Sequence, residues 1–117
     1  MLQASLLIIT NYERKIINIS FIKIFIITDN MPTKVGSYSG YDIFVSDRFP
    51  KKYYAQQNNG RKIYFGDVRY GHFKDKMGYY FVLDHGDKEK RRLYRLRHHK
   101  TSLIKYSPSW FAKHLLW

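Results

Sequence analysis

The sequence predicts an α+β domain: a small antiparallel sheet, then a basic helix, then a short aromatic C-terminal helix. Three observations predict it. Short aromatic and β-branched runs alternate with turn-forming residues in the middle of the chain. A Lys/Arg-rich run of helical length follows an aspartate. A serine–proline pair opens a closing stretch of Trp, Phe and Leu. A chain of 117 residues has room for one core.

Residues 1–30 differ from the rest. Nine of the twelve isoleucines lie there, whereas ten of the eleven tyrosines follow Met31. Ile17, Ile19, Phe21, Phe25 and Ile27 share a period of two, which reads as a strand interrupted by Lys23, and Leu6–Thr10 is a short run able to pair with it. The other reading of this Ile-rich extension is translated upstream sequence, with Met31 as the start. The apolar stretch 16–28 is broken by Asn18, Ser20 and Lys23 and is shorter than the ~20 residues of a membrane span. It also lacks the basic start and small-residue cleavage site of a signal peptide.

Residues 31–40, with Pro32, Gly36, Ser37, Ser39 and Gly40, read as a linker into a basic domain over 41–117. Strands are predicted over Tyr41–Ser46, Lys52–Gln56 and Lys62–Phe65, the last two joined by a turn at Asn58-Asn59-Gly60, where positive φ costs little. The run Gly78–Leu83 is predicted as a fourth strand. Asp87 is the expected N-cap of a helix over Lys88–His99, with Glu89 at its positive end and Arg97, His98 and Lys100 at its negative end. Ser107 and Pro108 start a final helix over Ser109–Trp117.

Charge is the main functional signal. There are 21 Lys and Arg against 9 Asp and Glu, and +11 of the net +12 lies in residues 31–117. Such a surplus favours an anionic partner. No cysteine is present, which excludes a disulfide framework, a thiolate zinc site and thiol catalysis. The five histidines are scattered with no metal-ligand spacing, and no Gly-rich phosphate loop occurs. Asp84-His85 and Asp87 could form an acid/base or metal site, but only seven acids follow Met31. No cofactor, no metal and no enzymatic activity are expected.

Seven of the thirteen residues from Lys88 to Lys100 are basic: Lys88, Lys90, Arg91, Arg92, Arg95, Arg97 and Lys100. On a helix Leu93 and Leu96 share a side with Glu89 and Lys100, and that side is expected to lie on the sheet. Arg91, Arg95 and Arg97 are then free for phosphates, with Lys62 and Arg69 as outlying contributors. The tyrosines among these cations are expected mostly in the core, with base stacking as the alternative. Trp110, Phe111, Leu115 and Trp117 form two adjacent stripes, which either dock on the sheet or anchor in a partner.

The residues Phe65-Gly66, His85 and Asp87, Tyr94 with Arg97-His98, and the closing Ser107-Pro108 to Leu115-Leu116-Trp117 together resemble a family of short basic proteins encoded by large nucleocytoplasmic DNA viruses. The resemblance runs from Lys62 to the end of the chain, about half of it, and the terminal motif is its specific part. Residues Gly71–Asp84 stand as an insertion relative to that pattern. Ser109, Trp110, Phe111 and His114 replace its Gly, Phe, Trp and Trp. The family has no assigned activity, so the resemblance implies a setting: the virion, or the viral factory in the host cytoplasm. The expectation is a non-enzymatic protein that binds nucleic acid, DNA or RNA. The alternative is a capsid-associated protein meeting an acidic structural protein through its basic surface and aromatic tail.

Overall fold

The computed structural model describes residues 31–117, and the strands read in residues 1–30 lie outside the described part. Four antiparallel strands in sequential order, β1 (Lys34–Tyr38), β2 (Tyr41–Val45), β3 (Lys51–Gln56) and β4 (Ile63–Asp67), form one sheet. A 3-10 turn at Phe81–Leu83 follows. Then come helices α1 (Lys88–Arg97), α2 (His99–Ser102) and α3 (Pro108–Leu115). The α+β class is as the sequence predicts.

Two elements differ. The expected linker holds strand β1, because Ser39 and Gly40, both at positive φ, close a two-residue hairpin with Tyr38 opposite Tyr41. The small residues that read as flexible are the turn. The expected fourth strand at Gly78–Leu83 does not form. Gly78 has φ +85°, and the Tyr80 amide donates to Asp75 Oδ2, so the chain curls. Tyr80 and Leu83 are buried at a spacing of three, while the residues between them face outward or lie at the surface.

Register decides the core. Ile43, Ala55 and Ile63 line up across β2, β3 and β4, as do Val45, Tyr53 and Phe65, and all six are buried on one face. Helix α3 covers that face, with Phe65 and Phe111 stacked at 5.5 Å and Leu115 and Leu116 fully enclosed. Ser107 caps α3 by accepting from the Trp110 amide, and Pro108 occupies the first turn. On the opposite face Phe44, Tyr54 and Tyr64 form an aromatic ladder, with Lys62 over Tyr54 and Arg48 over Tyr64.

The tail therefore docks rather than anchors outward. Phe111 and Leu115 are core, Trp110 packs on Tyr38 and Tyr106, and Trp117 stacks on Tyr94. The tyrosines follow the core reading at Tyr53, Tyr54 and Tyr80, and Tyr70 stands exposed. Residues Gly71–Asp84 belong to the fold, since His72, Asp75, Tyr80 and Leu83 within them are buried.

Candidate polyanion interface

Helix α1 begins where Asp87 accepts hydrogen bonds from the Glu89 and Lys90 amides. Its own amide donates to His85 Nδ1, so the two motif residues fix the start of the helix. Their roles here are capping and orientation.

The inner side of α1 is aromatic and cationic. Arg91 lies 4.1 Å from the centre of the Phe73 ring, Tyr94 is parallel to Trp117, His98 is 4.2 Å from Tyr94, and Arg95 donates to Trp117 O at 2.8 Å. This overturns the expectation that Leu93 and Leu96 lie on the sheet: no residue of α1 is buried, and both leucines are exposed. Flat rings and a guanidinium offer more contact to Phe73 and Trp117 than two leucines would, so the helix turns its tyrosine inward.

The predicted phosphate contacts divide into two groups. Lys62, Arg69 and Arg92 are ion-paired with Asp47, Asp67 and Glu89 at 2.7, 2.7 and 2.6 Å, and Arg91 is drawn against Phe73. Exposed surface pairs of this kind contribute little stability, but they neutralise three of the nine cations the sequence singles out. Arg95 is held by Trp117 O, whereas Lys88, Lys90, Arg97 and Lys100 remain exposed with no carboxylate bonded to them among the described residues.

The acids explain the surplus. Asp42 pairs with Lys34, Asp84 with His72, Asp87 caps α1, and Asp75 accepts from Tyr53 OH and the Met77 and Tyr80 amides. With Asp47, Asp67 and Glu89, every carboxylate in residues 32–117 is engaged inside the domain. Asp47 titrates below the usual carboxylate range. Partial burial pushes it up, but hydrogen bonds from Lys62 and Tyr64 and the Lys62 charge outweigh that.

Beside α1 lies a cleft of about 560 Å³ lined by Lys51, Lys52, Gly66, Arg97, His98 and Trp117, among others. Six residues of the resemblance, Gly66, Tyr94, Arg97, His98, Leu116 and Trp117, line it. Gly66 sits within β4 rather than in a turn after it. Its φ is +78°, and a Cβ would come within 3.0 Å of Leu116 and Lys52. Burial and the neighbouring Arg97 charge hold His98 below the ordinary histidine value, so at neutral pH the cleft's cations are the lysines and Arg97.

Sequence reasoning missed a buried polar network behind this cleft. Lys52 Nζ donates to Tyr70 O at 3.0 Å and lies 2.7 Å from His72 Nδ1, and His72 Nε2 lies 2.6 Å from Asp84 Oδ1. The Asp75 amide also donates to Asp84 Oδ1. Desolvation lowers the Lys52 ammonium to about 8 despite the opposing charges of Asp75, Asp67 and Asp84. Its amine is held by Tyr70 and His72, so its role is to fasten the 70–86 segment to β3. No spacing signal marks the set, because Lys52 and His72 are 20 residues apart and His72 and Asp84 are 12 apart.

Among the described residues no three His, Asp or Glu side chains are grouped to hold a metal ion, and no helix is long and apolar enough to cross a membrane. No protein-family model, curated protein or solved structure matches the chain.

Proposed function

We propose that residues 32–117 are a non-enzymatic module that binds the phosphate backbone of nucleic acid, in the virion or the viral factory to which the family resemblance points. One observation carries the reading. The side-chain carboxylates of the domain are all engaged internally, while Lys88, Lys90, Arg97 and Lys100 stand exposed on and beside a single helix. Lys51, also exposed, adds a further charge at the cleft next to Arg97. Contacts of this kind are to phosphates, so the expected binding is strong at low salt and indifferent to sequence.

The test is oligonucleotide binding by fluorescence anisotropy across a salt series. Five phosphate contacts give a log–log salt slope of about −4.5 on duplex DNA. A Lys90→Glu/Arg97→Glu variant should reduce the slope by about two and weaken duplexes of any sequence equally. A flat salt response, or affinity unchanged in the variant, rejects the reading.

The second reading is an acidic structural protein as partner. The aromatic tail does not serve it, because Phe111 and Leu115 are enclosed in the core. The exposed leucines of α1 do favour a protein surface.

A further inference from the structure

We propose that the outward side of residues 88–104 is a docking ridge for an acidic amphipathic helix of a partner protein. This goes beyond nucleic-acid binding and does not depend on it.

The ridge starts from exposure. Leu96, Leu103 and Ile104 are 67%, 64% and 62% exposed and Leu93 is 40% exposed, four large apolar side chains within twelve residues. Scattered surface leucines need no explanation, but a line of them on one side of a helix does. Helix α1 ends at His98, whose φ of −104° and ψ of 18° are not helical, and α2 starts directly after it. His98 N donates to Tyr94 O and Ser102 N to His98 O at four-residue spacing, and the Leu103 and Ile104 amides close the last turn on Lys100 and Thr101. Within α1, Glu89, Leu93 and Leu96 share one side at steps of four and three, the spacing of a helix-pairing seam. Beyond the break, His98 against Tyr94 and the buried Ser102 turn the opposite side inward, which leaves Lys100 and Leu103 exposed outward. Arg91 and His98, on the other side, face Phe73 and Tyr94 of the domain, so the seam points away from the fold.

Charge names the occupant. The positions that flank the seam on α1 are Lys90, Arg92 and Arg97, all cationic and all exposed. In a helix pair the flanking residues choose the partner, and like charges across the seam are destabilising. A second copy of this chain would set these cations against themselves. A helix with leucines on its seam and glutamates on its flanks would bury Leu93, Leu96 and Leu103 and pair each flank. Glu89, which holds Arg92 at 2.6 Å, would then share it with the partner.

The experiment uses the full chain and two labelled peptides of three heptads. One carries Leu on the seam and Glu on both flanks; the other keeps the Glu and has Ser on the seam. The Glu flanks keep both peptides monomeric at neutral pH. The Leu peptide should bind about tenfold or more tighter than the Ser peptide, because only it gains apolar burial. A Leu96→Ser/Leu103→Ser variant should lose about tenfold or more of that affinity. Both residues are exposed, so the fold is retained, and oligonucleotide affinity, measured in parallel, should stay unchanged. Equal binding of the two peptides, no effect of the serine variant on the Leu peptide, or loss of oligonucleotide binding along with the peptide would each overturn the proposal. So would a stable dimer of the chain in sedimentation that the serine changes dissociate. A Lys51→Glu/Lys88→Glu variant changes exposed cations outside the seam and its flanks, so its loss of salt-dependent oligonucleotide binding with peptide binding retained tests the nucleic-acid reading alone, and the two can fail separately.

Discussion

The ring of Tyr94 lies parallel to the indole of Trp117, 4.2 Å between centres and 5° between planes. This pair fastens α1, which has no buried residue of its own, to the end of the helix that fills the core. Removing either ring should therefore loosen the basic helix and leave the sheet intact. Tyr94→Ala and Trp117→Ala should each cost about 2 kcal/mol, with a coupling of about 1 kcal/mol in the double-mutant cycle measured by urea unfolding. Additive effects would show that the stack contributes nothing beyond buried area.

The buried Lys52 ammonium makes stability depend on pH in an unusual direction. Folding lowers this group from 10.5 to about 8, so between those values the unfolded chain binds more protons than the folded one. Stability should then rise as pH goes from 8 toward 10, with a full span of about 3 kcal/mol. The rise is cut off near pH 10, where burial holds the Tyr53 and Tyr80 hydroxyls protonated in the fold while unfolded tyrosine ionises. Urea midpoints measured at half-unit steps check this. In Lys52→Met the rise should vanish, and a persistent rise would assign it to another group.

Gly66 and Gly86 separate strain from crowding. Both have positive φ, +78° and +61°, but a Cβ at Gly66 meets Leu116 and Lys52 at 3.0 Å, whereas at Gly86 it meets open space. Gly86→Ala should cost about 1 kcal/mol from backbone strain alone. Gly66→Ala should cost about 3 kcal/mol, since Leu116 is enclosed in the core and has little room to yield. Equal losses in thermal unfolding would mean the cleft wall adapts.

Asp75 organises the 71–86 segment by accepting from Tyr53 OH and from the Met77 and Tyr80 amides. Asp75→Ala strands these donors in a buried site and should cost about 3 kcal/mol. Hydrogen exchange should show Tyr80 and its neighbours losing protection before β2 and β3. Uniform loss across the sheet would instead make the segment part of one cooperative unit.

The legible parts of the fold were those coded by neighbours in sequence. Strands β2 and β4 carry aromatic and β-branched residues and β3 a tyrosine pair, Asp87 and Ser107 are caps, and Asn58-Asn59-Gly60 is a turn. Each of these reports on its own backbone. Strand β1 was obscured because Ser39-Gly40 suits both a flexible linker and a tight hairpin, and only the pairing of Tyr38 with Tyr41 distinguishes them. The run Gly78–Leu83 looks like a strand, yet Asp75, distant by only five residues from Tyr80, offers the Tyr80 amide a better acceptor than a sheet edge.

The candidate site divides along the same line. Sequence alone determined that a positively charged helix with a capped start would form and that the chain carries far more cations than acids. Which cations stay available was decided by tertiary structure, because Asp47 reaches Lys62 across fifteen residues and Phe73 takes Arg91 from another segment. So was the side the helix turns to solvent. Leu93 and Leu96 have the spacing of a buried face, but Trp117 arrives from the chain end and stacks on Tyr94, leaving the leucines outside. Periodicity specifies that a helix has two sides; the surface it meets selects which one is covered, and that surface is assembled from residues far apart in the chain.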